Sequence, residues 1–315
     1  MISRRQHIKT LGKLGAILPL MNPVPWNHTF SHARHIKHDI HIFSKHLQWL
    51  DVEAMAAIAA RTGFDGVDLT VRAKGHVLPE NVINDLPKAL EAIRKAGLKT
   101  ELLTTAITNV EDPHTEAILK AASQQGIKTY RMGWLQYIPG ISIPVQLDKF
   151  KKQFGELAEM NKHYGIQAAY QNHAGTGLGA SLWDIWHVVK DLDPRYLGIQ
   201  FDVRHAMVES YSSWALGLKL LAPHINSLDI KDFKWSAING KLILDNVPLG
   251  QGIVDFEKYF TMLDDLNIKA PFCLHLEYPL GGANDGEHKL TVPESVVTEA
   301  MKTDLKRLRN LLGKT

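Results

Sequence analysis

Three polar residues, Gln171, Asn172 and His173, follow directly on an apolar run in "YQNHAGTGLGA" and precede a glycine-rich turn. The same abrupt change recurs later in the chain. "FDVRHA" brings Asp202, Arg204 and His205, "DIKDF" brings Asp229, Lys231 and Asp232, and "LHLEY" brings His275, Glu277 and Tyr278. Such groups can hold a divalent cation or move protons. Gln171, Asp202, Asp229 and Glu277 occupy equivalent places at the ends of four successive apolar runs. Carboxylates drawn together raise one another's pKa unless a cation lies among them, so a shared divalent metal is the expectation. Oxygen-dominated ligation suits Mn²⁺ or Mg²⁺, and a nearby His173, His205 or His275 leaves Zn²⁺, Co²⁺ or Fe²⁺ open. Taken singly, each Asp could instead cap a helix or pair with a cation, and Asp232 could cap a helix or pair with Lys231. Side chains alternate along a strand, so His275 points the same way as Glu277 one layer lower, as a site residue or a hydrogen-bonded core histidine.

The elements that would position these groups alternate from residue 40 onward. Eight short apolar runs read as buried parallel strands: "DIHIF", "FDGVDL", "KTELL", "KTYRMG", "IQAAYQ", "LGIQFD", "INSLDI" and "FCLHLE". Helix-period segments separate them, among them "VEAMAAIAARTG", "TEAILKAASQQG" and "LDKFKKQFGELAEMNKHYG", several closing on Gly as helix C-termini do. Eight β/α units with short connections imply an α/β fold, the (β/α)8 barrel, with an open doubly wound sheet as runner-up. No G-x-G-x-x-G follows a strand, which weakens the nucleotide-binding alternative. A barrel builds its site from the loops after its strands. That adds Asp68, Glu101, Thr104, Thr105, Arg131 and Trp134 to the groups at the mouth.

The chain of 315 residues is 45% apolar, enough for one large core. Its net charge of +3 comes from Lys and Arg spread along helix faces, so a nucleic-acid partner is not expected. The single cysteine, Cys273, excludes an internal disulfide and reads as a buried small side chain. Residues 1–25 differ in kind: "SRRQHIKTLGKLGAILPLM" places Arg4 and Arg5 before an apolar run too short to span a membrane. The layout resembles a twin-arginine export signal, with a cytoplasmic basic N-terminus as the alternative. Residues 26–39 read as a His-rich linker, in a tract holding His28, His32, His35, His38, His41 and His46. Ligands on a mobile linker lack fixed geometry, so no function is assigned to them. Residues 40–315 are the barrel.

"GVDL", "QNH", "FDVRHA", "DIKDF", "LHLEY" and "VPLGQGIVDF" together resemble the xylose isomerase-like barrel superfamily over roughly residues 40 to 312. The likeness is closest to the sugar phosphate isomerase/epimerase proteins, which include inosose dehydratases, tagatose and psicose epimerases and endonuclease IV relatives. In the epimerases, Glu, Asp, His and Glu hold the metal. By position these become Gln171, Asp202, Asp229 and Glu277, so two of the four depart from the pattern while three carboxylates are kept.

The resemblance implies a divalent-metal-dependent enzyme that removes a proton α to the carbonyl of a keto-sugar or related derivative. Gln171 can neither take nor return a proton, which removes one of the two epimerase bases. The balance therefore leans from epimerisation toward a lyase or hydratase. Glu277 is then the base, His173 or His205 the acid, and Lys231 and Arg131 grip an anionic or hydroxyl-rich substrate. Asn172, His275 and Trp134 complete the substrate pocket, the Trp by stacking on a pyranose face. The partner is a small carbohydrate; self-association into a homo-oligomer stays open. A non-catalytic sugar-binding barrel is the alternative, and an endonuclease IV-like nuclease a weaker one.

Overall fold

The computed structural model describes residues 36–313. The export-signal reading and His28, His32 and His35 lie outside the described residues. Eight parallel strands close a barrel: β1 (Ile40–Phe43), β2 (Gly66–Val71), β3 (Lys99–Thr105), β4 (Thr129–Arg131), β5 (Gln167–Gln171), β6 (Leu197–Asp202), β7 (Ile225–Ile230) and β10 (Phe272–Leu274). The ring runs β1-β10-β7-β6-β5-β4-β3-β2, so the first and last barrel strands meet along a seam where Ile40 pairs Phe272 and Ile42 pairs Leu274. All eight runs read as strands from the sequence are barrel strands. Among the described residues, no helix is long and apolar enough to cross a membrane.

Helices coat the barrel because each carries an apolar stripe. In α1 (Val52–Thr62), Met55, Ala56 and Ala59 are buried; Asp51 caps its first turn by accepting from the Ala54 amide, and Gly63 ends it at φ +101°. α4 (Ile143–Tyr164) buries Leu147, Phe150, Phe154 and Leu157 and ends the same way at Gly165. Further helices on the barrel are α2 (Val82–Lys95), α3 (Thr115–Gln124), α5 (Leu182–Val189), α7 (Trp214–Leu221), α8 (Phe256–Asp265) and α9 (Glu294–Leu311).

Two elements escape a reading based on strand and helix periods. A short helix, α6 (Val203–Ser210), starts directly at the end of β6, capped by Asp202. An antiparallel hairpin, β8 (Asp232–Ile238) and β9 (Lys241–Val247), rises after β7 and turns at Asn239 and Gly240, both with positive φ. Asn-Gly is the residue pair that a two-residue hairpin turn demands.

The histidine tract is not a mobile linker where it is described. His38 is buried, stacks on Phe272 at 4.2 Å and contacts the Ala270 carbonyl through Nδ1 at 2.6 Å. His41 lies within β1 and His46 in the turn after it, both fully buried. Their surroundings make His38 and His41 packing residues, whereas His46 bridges two backbone groups.

Candidate active site

Strand register sets the heights of the candidate groups. Asp202 on β6 pairs level with Asp229 on β7, and Asp229 pairs level with Cys273 on β10. Gln171 is level with Gln200, two residues before Asp202, and Glu277 lies four residues beyond Cys273. The expectation of four equivalent positions is corrected accordingly: tilted, staggered strands turn the ring into a staircase. Its four side chains still meet in one network, built from nitrogen donors.

Gln171 sits at the junction. An arginine can only donate, and Arg131 Nη1 donates to Gln171 Oε1 at 2.9 Å. The amide nitrogen is thereby turned toward the acids, donating to Asp202 Oδ2 at 2.9 Å and to Asp229 Oδ2. Asp229, fully buried, also accepts from Gln200 Nε2, while His275 Nε2 stands 3.2 Å from its Oδ1. Asp202, equally buried, accepts the His205 amide on Oδ1 at 3.1 Å and forms an ion pair with Lys231 Nζ through Oδ2 at 3.0 Å. Lys231 Nζ reaches on to Glu277 Oε2 at 2.9 Å, and Lys45 Nζ meets Glu277 Oε1 at 3.0 Å.

Exposure separates these acids. The Glu277 side chain keeps 21% of its surface open, whereas those of Asp202 and Asp229 are at 0%, so Glu277 is the carboxylate a substrate can touch. It borders a cleft of about 510 Å³ that is also lined by Lys234, Asn246, Tyr278 and Asn284. Burial opposes its ionisation, but Lys231 and Lys45, with His275 behind them, outweigh burial and hold its carboxyl well below the usual range. For Lys231, burial is likewise outweighed by Asp202 and Glu277, which keep it an ammonium.

The histidines divide by environment. Burial, then the Lys231 charge, lowers His173 and drives His205 well below its ordinary value, so both are held as neutral rings, and Arg204 Nη1 and Lys231 Nζ each stand 2.9 Å from a nitrogen of His205. This corrects their expected role as general acids. His173 lies between Trp134 (4.6 Å) and His205 (3.9 Å) in a ring stack at the mouth. His275 goes the other way: Asp229 and Glu277 overcome its burial and raise its pKa.

Two expected substrate contacts are also corrected. Asn172 is fully buried and clasps β5 to β6, donating to the Asp202 carbonyl at 2.9 Å and accepting its amide at 2.7 Å. His275 is buried behind Glu277, stacked on Phe43 at 4.6 Å. Arg131 and Trp134 do share the mouth, with the guanidinium 4.9 Å from the indole centroid and the Trp 40% exposed.

Sequence reasoning missed Lys45, Gln200 and Asn246. Gln200 lies two residues before Asp202 and shares its face, the alternation already used for His275 and Glu277. Lys45 is the second residue after β1, where strand-end logic also applies. Asn246 sits on the hairpin, donates to the Glu277 carbonyl at 3.1 Å and accepts from Arg204 at 2.7 Å; the Asn239-Gly240 turn was its available signal. The backbone beside Glu277 is held by an imidazole. His46 Nε2 accepts from the Leu276 amide at 3.0 Å while Nδ1 donates to the Ala283 carbonyl at 3.1 Å.

Two sets of residues bear on a metal. Among the described residues, Asp229, Cys273 and His275 form a buried group with ligand atoms within 4.8 Å of one another, which could hold an ion. The expected quartet does not fit one as arranged: Gln171 turns nitrogen toward Asp202 and Asp229, and Lys231 Nζ bridges Asp202 to Glu277.

Comparison with known proteins agrees with the architecture. A family model described as xylose isomerase-like TIM barrel matches residues 56–295. Inosose dehydratase of Serratia proteamaculans is 28% identical over 148 residues, covering 43% of this chain and 49% of that protein. The chain spans about half the length of the curated relatives it matches. Among solved structures, D-psicose 3-epimerase of Clostridium cellulolyticum H10 superposes with a TM-score of 0.67 at 13% identity, covering 87% of this chain and 99% of that one. The 3-keto-D-glucoside 4-epimerase YcjR of E. coli gives 0.61 at 17% identity, covering 87% and 100%. The family match takes in every barrel strand but the first, together with Gln171, Asp202, Asp229 and Glu277, and the chain belongs to the xylose isomerase-like TIM barrel family.

Proposed function

We propose that this protein is a lyase or hydratase that removes a proton α to the carbonyl of a keto-sugar or oxidised glycoside. One observation carries the reading: a single partly open carboxylate, that of Glu277, belongs to a residue lining a cleft, while two ammonium groups keep it ionised. Inosose dehydratases among its relatives and the 3-keto-glucoside epimerase among its structural neighbours support a sugar of this kind.

The geometry suits one base better than two. Gln171 cannot exchange a proton, so a two-base inversion lacks its second partner. Glu277 takes the α-proton as the carbonyl oxygen gains charge, and Lys231 turns from Glu277 toward that oxyanion. Losing this ammonium raises the basicity of Glu277 at the moment it receives the proton. The new carboxylic acid then protonates the departing β-hydroxyl. One C–H and one C–O bond break, water leaves, and Glu277 ends as it began. Neutral His173 accepts a hydrogen bond from a sugar hydroxyl, and Trp134 offers a stacking face. Export through a twin-arginine signal would fit a free glycoside better than a sugar phosphate.

The test is incubation of the full chain in D₂O with a panel of keto-sugars and 3-oxidised glycosides, read by mass spectrometry. The expected result is deuterium at the α-carbon together with loss or gain of water, reduced about 10²- to 10⁴-fold in Glu277→Gln. Absence of exchange across the panel would favour the non-catalytic sugar-binding barrel. Unchanged exchange in the variant would remove Glu277 as the base.

A further inference from the structure

We infer that Lys231 Nζ and Gln171 Nε2 together take the place of a divalent cation among Asp202, Asp229 and Glu277, making the barrel mouth an all-protein site. The placement of two donor nitrogens carries the inference. An ammonium can only donate, and Lys231 Nζ bridges two carboxylates, donating to Glu277 Oε2 at 2.9 Å and pairing with Asp202 Oδ2 at 3.0 Å. A carboxamide has two N–H bonds, and Gln171 Nε2 spends them on Asp202 and Asp229.

Charge balances as well. Three carboxylates face Lys231, Lys45 and, through the Gln171 amide, Arg131. Turning Gln171 over to offer its oxygen to an ion would set its NH₂ against the Arg131 guanidinium, donor against donor. Drawing Lys231 aside would leave a buried ammonium without partners, and breaking a buried pair costs more than the pair itself contributes. An ion would have to do both to enter. This inference does not rest on the sugar chemistry proposed above, because it concerns the apo-protein's affinity for an ion.

The experiment uses the full chain, stripped with a chelator, dialysed and titrated with MnCl₂ by calorimetry, with Tm recorded with and without the ion. Wild type should show no saturable Mn²⁺ binding at Asp202 and an unchanged Tm. Lys231→Met, which keeps the side-chain length and removes the charge, should bind one Mn²⁺ per chain and gain in Tm when it is added. Gln171→Glu supplies a fourth carboxylate and should also gain a site, so the inference remains testable if Lys231→Met fails to fold. Stoichiometric Mn²⁺ binding by wild type that disappears in Asp202→Asn would overturn it, as would folded Lys231→Met and Gln171→Glu proteins that bind none. Wild-type binding that survives Asp202→Asn and is lost in Cys273→Ser would place the ion at the buried Asp229 group and leave the mouth to Lys231, as inferred.

Discussion

Asp229 and Asp232 are three residues apart, both buried, and their carboxylates are satisfied in opposite ways. Asp232 accepts four backbone amides, from Phe233 (2.8 Å), Gly250 (2.9 Å), Gly252 (2.9 Å) and Val254 (3.2 Å). Asp229 is surrounded by side chains from β5, from β6 and from the residue just past β10: Gln171, Gln200 and His275. Backbone donors are fixed by the chain path, so Asp232 is a clasp that ties the "PLGQGIV" loop to the base of the hairpin. It neither caps a helix nor pairs with Lys231, which corrects both earlier expectations. Side-chain donors can rotate, release protons and re-pair, so the network around Asp229, Asp202 and Glu277 can respond to a substrate. Adjacent acids in one motif thus serve architecture and chemistry separately.

Removing the clasp should have the largest effect on stability. Asp232→Ala strands four amides, two buried and two partly buried, and with about 1–3 kcal/mol for each unsatisfied group before water relieves some of them, a loss of roughly 3 kcal/mol or more in urea unfolding is expected. A loss below about 1 kcal/mol would show that the loop does not depend on the clasp. Gly252→Ala comes next: a Cβ there would stand 2.1 Å from Asp232 Oδ1 and 2.3 Å from the Phe233 carbonyl. Overpacking of this kind typically costs about 1–3 kcal/mol, read as a lower urea midpoint, with residual exchange activity per folded molecule retained.

The smallest effect sharpens the comparison through pH. Asp304 belongs to the clasp region, accepting from Tyr278 Oη at 2.9 Å and the Leu249 amide at 3.2 Å. Burial pushes its pKa up to about 6, against the lowering by those donors. A carboxyl raised in the folded state favours folding when protonated, so its contribution declines as pH rises from about 4 to about 6, by up to roughly 3 kcal/mol. Asp304→Asn should flatten that decline. Glu277, held low, has the opposite sign: its contribution is present above its unfolded pKa and is lost as pH falls through the lower folded value. Unfolding curves for Asp304→Asn and Glu277→Gln between pH 3 and 7 should therefore depart from wild type in opposite directions.

Much of the barrel is legible in the chain because buried parallel strands announce themselves as short apolar runs, and "INSLDI" and "FCLHLE" are bounded where the polar mouth begins. The hairpin is less legible because "KWSAINGKLILDN" is mostly exposed and has no buried residue, so its apolar side chains mark no core face. Strand-end reasoning gathers Gln171, Asp202, Asp229 and Glu277 into one neighbourhood, yet it cannot supply their heights, which depend on the stagger between strands. Nor can it say which atom of Gln171 faces the acids; that follows from Arg131, forty residues away. Asn172 and His275 looked like ligands for the same reason: a polar residue near a strand end is counted the same whether it faces the cleft or the wall.

The imidazole of His46 has a consequence for how the base is aimed. Standing between the Leu276 amide and the Ala283 carbonyl, it stitches the chain on either side of Glu277 as a strand edge would, though no strand is there to do it. A proton added to its accepting nitrogen would confront an N–H with an N–H and push Leu276 away. Burial and the Lys45 charge drive that proton off, with the ring's pKa well below neutrality. The aim of Glu277 is thus kept indifferent to acidity over the range in which ordinary histidines switch.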